Sequence, residues 1–246
     1  MHKVRKATIG IRPTEKMFRV ASLSGLVADE IIAASSSKSL AEGYFTNVTK
    51  ANGGSSLRLT NESLGHYLIV DVENIVFSHD HYDTDREFDA DAFFTSFKVL
   101  WNSLNSVLKV KRVRRIGYVA EYRFPKKEAA SAYLVERITK LKPHGYPDKF
   151  SLSYESRRGT SIGGLPDPIK DDFFNHIRQI YDSSADVDHP KSGHYNANLD
   201  VQRYYAPPLT KEVSGEVELI RREFERTLPS FFDELVSLGI CINGAE

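Results

Sequence analysis

The chain has 246 residues, with 33 Lys and Arg set against 33 Asp and Glu, so its formal charge is zero and its pI about 7.1. That balance excludes a strongly basic protein that coats nucleic acid and an acidic disordered chain; 41% hydrophobic and 27% charged residues are an ordinary globular mixture, long enough to bury its own core. The single cysteine, Cys241, excludes an intramolecular disulfide and a cysteine-based zinc site. The basic N-terminal stretch is followed by no apolar run of signal-peptide type, and no window approaches the roughly 18 apolar residues of a membrane span. A soluble, cytoplasmic protein is expected.

The spacing of apolar residues predicts the elements in order. Ala7, Ile9 and Ile11 share one face of a strand over 4–11, closed by Pro13. Leu23, Leu26, Val27 and Ile31 recur at helical spacing behind Ser22 as N-cap, and the helix ends at 35–38. Short strands at 44–50 and 56–60 flank the turn at Asn52-Gly53-Gly54. Residues 66–78 read as one long strand. Asp89 caps a helix over 90–108, whose stripe is Phe93, Phe97, Leu100, Trp101, Leu104 and Leu108.

A strand at 113–124 places Ile116, Tyr118, Ala120, Tyr122 and Phe124 on one face. A helix over 126–141, a strand over 149–157 and a loop or hairpin tip from Arg158 follow. Phe173, Phe174, Ile177 and Ile180 suggest a short helix at 170–182. Residues 183–197 read as a loop, and Leu199, Val201 and Arg203 open a strand closed by Pro207-Pro208. A last helix spans about 212–238, with Pro229 expected to kink or split it and Gly239 to end it.

Strands paired in runs between helices predict an α+β fold with a largely antiparallel sheet. The first half, 1–125, reads as a ferredoxin-like β-α-β-β-α-β unit. The second, 126–246, reads as a second α+β half and a candidate degenerate copy, within one continuous domain or as two.

This layout resembles a sporadically distributed family of uncharacterised prokaryotic proteins of similar length. The shared features are the strand exit Phe77 to Tyr82 leading into the aromatic helix Phe88 to Trp101, the strand opening Arg115-Ile116-Gly117, and Leu199-Asp200-Val201 before a long helix containing Phe224. The resemblance implies the same fold and an accessory role in a variable gene neighbourhood such as phage defence. It implies no catalytic residue.

Two stretches carry candidate chemistry. In Ser78-His79-Asp80-His81-Tyr82-Asp83, two histidines at i, i+2 and an aspartate behind an apolar strand are good ligands for Zn or Mn. The motif is similar to the first metal motif of metallo-β-lactamase-type hydrolases, although Thr84 stands where that motif has a further His; His144 is the candidate third ligand. The plainer reading is a solvated strand exit before a helix N-terminus. Second, residues 71–91 hold eight Asp/Glu and one Arg, and residues 98–127 hold nine Lys/Arg and one Glu. Opposite charges at the two ends of helix 90–108 suit its macrodipole. The run Lys109, Lys111, Arg112, Arg114, Arg115 is denser than capping requires. With Tyr118 and Tyr122 beyond it, it could meet phosphates and stack bases, meet an acidic protein, or simply discourage edge pairing.

No Gly-x-Ser-x-Gly, Gly-x-Gly-x-x-Gly or P-loop pattern is present. The expected function is therefore a non-enzymatic interaction protein, without cofactor, that binds a protein or nucleic-acid partner through the basic strand. The alternative is a metal-dependent phosphoesterase using His79, His81 and Asp83.

Overall fold

The computed structural model describes residues 3–36, 40, 43–81, 87–126, 134–140, 142, 150–159, 166–167, 169–183, 193–210 and 212–240. These form an α+β fold on one nine-stranded antiparallel sheet. The strands are β1 (Val4–Pro13), β2 (Asn47–Ala51), β3 (Ser56–Asn61), β4 (His66–Asp71), β5 (Ile75–Asp80), β6 (Val113–Lys126), β7 (Ser151–Gly159), β8 (Phe173–Ser183) and β9 (Gly193–Leu209). Their spatial order is β2-β3-β4-β5-β1-β6-β9-β8-β7. The helices are α1 (Arg19–Ser36), α2 (Ala90–Leu108) and α3 (Val213–Ser237). None among the described residues is long and apolar enough to cross a membrane.

The element order is β-α-β-β-β-β-α-β through β6, which replaces the expected ferredoxin-like order. The stretch 66–78 is two strands, not one. The Asp71 carboxylate accepts from the N–H groups of Glu73 and Asn74, both at 2.7 Å, and so turns the chain back into a tight hairpin. Four consecutive antiparallel strands therefore lie between α1 and α2. Outward from the β1–β6 pair run β1, β5, β4, β3, β2 on one side and β6, β9, β8, β7 on the other, and α2 follows β5 as α3 follows β9.

One row of facing residues shows what drives the fold. Leu59, Leu68, Phe77, Ile9, Tyr118 and Val201 pair successively across six strands and are all buried. The helices cover this face: α1 packs on α2 and β3, and α3 lies over β6 and β9. The α2 stripe is buried as its spacing predicts, Trp101 included. Asp89 caps the helix by accepting from the Ala92 N–H at 2.9 Å. Helix α1 starts at Arg19 rather than behind Ser22 and bends at Leu23, which turns Leu26 out to solvent while Val20, Val27 and Ile31 are buried.

Residues 173–183 are strand, not helix. The segment is rich in aromatic and β-branched residues and holds few good helix formers, and its backbone is paired on both sides, by β7 and β9. Strand β9 begins earlier than expected, at Gly193, and runs through Pro207-Pro208 to Leu209. Helix α3 is continuous across Pro229, which is exposed, so the carbonyl its ring leaves unpaired can meet water. Gly239 ends the helix with positive φ, and the Ile240 N–H returns to the Leu235 carbonyl at 2.9 Å. Of the expected 126–141 helix, Lys126 is the last residue of β6, Leu134 to Lys140 are the other described residues, and Val135–Thr139 form a π-helical turn.

Gly65 closes the β3–β4 turn in the left-handed region, and a Cβ there would lie 1.9 Å from the Asp80 carbonyl oxygen. Gly65→Ala is expected to cost at least about 1–2 kcal/mol, the left-handed penalty alone, with the forced backbone shift added. Urea denaturation of the variant measures it.

Candidate functional site

The basic run sits where three elements meet. Strands β1 and β6 are antiparallel neighbours, so the end of β1 reaches the start of β6, with Arg12 opposite Arg115 and Pro13 opposite Val113. The α2 C-terminus delivers Lys109 to the same place. Lys109, Lys111, Arg112 and Arg114 are exposed there, and Arg12 and Lys16, which the sequence reading passed over, join them. Linear sequence separates the two groups by about a hundred positions, so only the pairing of β1 with β6 reveals the full patch.

Acids are interleaved with these cations. Glu15 holds Arg112 through a hydrogen bond from Nε at 2.7 Å and a second from Nη2. Glu73 pairs with Lys16 at 3.2 Å and with Arg12 at 3.6 Å. Arg115 takes another course. Alternating along β6 with the buried Ile116 and Tyr118, its side chain lies on the helix-free face. There its guanidinium reaches the Tyr204 hydroxyl at 3.3 Å and Gln202 Oε1 at 3.4 Å. Gln202 in turn donates to Asp200 at 2.6 Å. Arg115 is thus part of a polar network on the sheet rather than of the exposed strip. Tyr118 and Tyr122 do not serve as stacking platforms beside the run, because both rings are buried under α2 and α3.

The histidine motif is organised differently from a solvated strand exit. His79 and His81 lie on the helix-facing side of the β5 end, both buried, with ring centroids 6.0 Å apart. The third imidazole is His66, directly opposite on β4 and stacked on His79 at 3.8 Å. The Tyr44 hydroxyl and His79 Nε2 share a hydrogen bond at 2.7 Å. Burial first, then the neighbouring His66 and His81, pushes the His79 pKa down to about 2, so the ring is neutral. Among the described residues no three His, Cys, Asp or Glu are arranged to hold a metal ion. Asp83, His144 and Cys241 lie outside the described residues. His66 gave no sequence signal, since only the β4–β5 register brings it to His79.

A third cluster, also missed, is a charged seam under α3. Glu223 is buried and meets His176 Nε2 at 2.8 Å, Arg158 at 2.8 Å and Arg226 at 2.6 Å. One turn pair away, Glu216 meets Arg203 at 2.9 Å. His176 extends the apolar row across the sheet by one strand, and Glu223 satisfies it. This seam fixes α3 on β8 and β9, and its groups are occupied by one another.

No family model matches the chain, and no curated protein matches it.

Proposed function

We propose that this is a non-enzymatic interaction protein that docks an acidic protein partner on the basic end of its sheet, as an accessory part of a complex. The observation that supports this most is the convergence of Lys109, Lys111, Arg112 and Arg114 with Arg12 and Lys16 on one exposed end, interrupted by Glu15 and Glu73. A duplex backbone presents uniform negative charge and is repelled by such interleaved acids. A protein surface of mixed sign, acidic on balance, can complement them. Burial of Tyr118 and Tyr122 removes the aromatic platform that a single strand would use. An accessory role in a prokaryotic defence system, which the family resemblance implies, accords with such a part.

The test is fluorescence anisotropy against a labelled glutamate-rich peptide and a labelled DNA duplex. Lys111→Glu with Arg114→Glu is expected to weaken peptide binding by about tenfold or more while leaving thermal stability unchanged, because like charges facing a partner cost more than lost contacts. Preferential duplex binding would move the partner to nucleic acid. Its mark would be a logarithmic salt slope steepening by about 0.9 per neutralised phosphate. Failure of the double variant to affect either ligand would remove the patch from the function.

A further inference from the structure

We propose that the cleft between α2 and α3, floored by Tyr118 and Tyr122, binds a neutral, largely apolar small molecule that carries a carbonyl or similar oxygen acceptor. The cleft lies at the other end of α2 from Lys109, so this inference is independent of the docking surface above.

Tyr118 and Tyr122 stand four residues apart on β6 and therefore on one face of that strand. The first turn of α2 forms one wall with Ala90 and Phe94, and the middle of α3 forms the other with Phe224 and Leu228. Val4 and Phe88 also line the cleft. It is open on one side and has a volume of 490 Å³, within the ~300–1,000 Å³ typical of small-molecule sites. Its lining is that of such sites as well: apolar and aromatic walls with a few polar groups.

Those polar groups are what indicate a ligand. The ring of Tyr118 packs between Phe94 and Phe224, at 4.9 and 4.6 Å, and that of Tyr122 against Phe232 at 5.0 Å. The two residues are 4% and 3% exposed. A phenol buried to that degree normally has a hydrogen-bond partner. Neither hydroxyl has one among the described residues, yet neither oxygen is sealed off, and both residues line the cavity, so each hydroxyl is open to the cleft. Arg221 and Glu225, whose charges act on the Tyr118 hydroxyl, line the same cleft. Burial raises both phenols above their ordinary pKa, so they keep their protons and can donate. Two unpaired donors at the floor of an apolar cleft call for an oxygen acceptor.

Charge at the rim sets the rest. Lys3 and Arg221 stand against Glu87 and Glu225. Arg221 is already held by Asp91 at 2.6 Å and by Glu225 at 2.9 Å, with its guanidinium over the Phe94 ring. The balanced rim offers no surplus charge to an ionic ligand, hence a neutral one.

Prodan, a neutral naphthyl ketone whose emission reports both polarity and hydrogen bonding at its carbonyl, is a suitable probe for the full chain. Saturable binding of one molecule per chain with blue-shifted emission is expected. Ala90→Trp, which fills the cleft from the first turn of α2, should abolish it with little change in thermal midpoint. Tyr118→Phe with Tyr122→Phe removes only the two hydroxyls. Affinity should fall at least about fivefold, as the loss of two hydrogen bonds implies, while the thermal midpoint stays unchanged, because the hydroxyls are open to the cleft and hold no hydrogen bond among the described residues. Lost affinity at an unchanged thermal midpoint separates a ligand role from a structural one. Absence of saturable binding, or its survival in Ala90→Trp, would overturn the site. Unchanged affinity in the double phenylalanine variant, or lost affinity together with a lower thermal midpoint, would overturn the assignment of the hydroxyls.

Discussion

Phe93→Ala is expected to lower the unfolding free energy by about 3–5 kcal/mol, the usual range for truncating a fully buried phenylalanine. Phe93 joins the parts of the first half. Its ring packs on Phe77 of β5 at 5.0 Å, on His79 at 4.8 Å, on Phe88 at 5.4 Å and on Phe94 at 5.6 Å. Deleting it opens a void that strand, helix and imidazole cluster all border, and none can collapse into it without leaving the others. Leu26 is the control, because a helix starting behind Ser22 would bury it. It is 49% exposed, so Leu26→Ala should change stability by no more than about 0.5 kcal/mol. Urea midpoints of the two variants measure the contrast; equal losses would mean that α1 packs in the phase its sequence suggests rather than the one described.

What the sequence made legible follows from how local each determinant is. Helix α2 was readable almost to the residue, because its cap Asp89 and its apolar stripe both lie within the segment. So was β6, whose alternation from Ile116 to Phe124 is unbroken. The hairpin inside 66–78 was not. Val72 and Ile75 continue the apolar character of the strands on either side, and the turn depends on a single side chain, Asp71. Strand β8 misled for the opposite reason. Phe173, Ile177 and Ile180 have helical spacing, but pairing with both neighbours in the sheet decides the conformation. The candidate sites divide in the same way. The exposed cations of the 109–114 run could be read directly. The contributions of Arg12, Lys16, His66 and Arg221 depend on strand register and helix placement, which no local pattern encodes.

Asp200→Asn is expected to uncover an acid sensitivity that the native protein conceals. His79 has an ordinary pKa of 6.5 and a folded value of about 2. The unfolded chain takes up a proton below 6.5 that the folded protein refuses. The stabilisation is complete above pH 6.5 and is lost as pH falls, by about 1.4 kcal/mol per pH unit. Asp200 works in the other direction. Burial raises its carboxyl from 3.8 to about 6, against the pull of the Gln202 hydrogen bond and the Arg115 charge. Folded Asp200 holds its proton more tightly than the unfolded chain does, so its ionisation destabilises the fold as pH rises from 3.8 to 6. Acidification over the same interval restores that stability at the same rate. Between pH 6 and pH 4 the two contributions nearly cancel, and Glu121, also raised by burial, adds to the Asp200 side. Without the Asp200 carboxyl, the His79 loss has less to oppose it. Over the interval from pH 6 to 3.8 the variant should lose about 3 kcal/mol more than the native protein, each measured against its own value at pH 6 by urea denaturation. Adding His79→Gln, which keeps a polar partner for Tyr44, should abolish that excess loss. If the Asp200→Asn profile instead runs parallel to the native one, Asp200 titrates at its ordinary value and the helix-free face is open to water at that position.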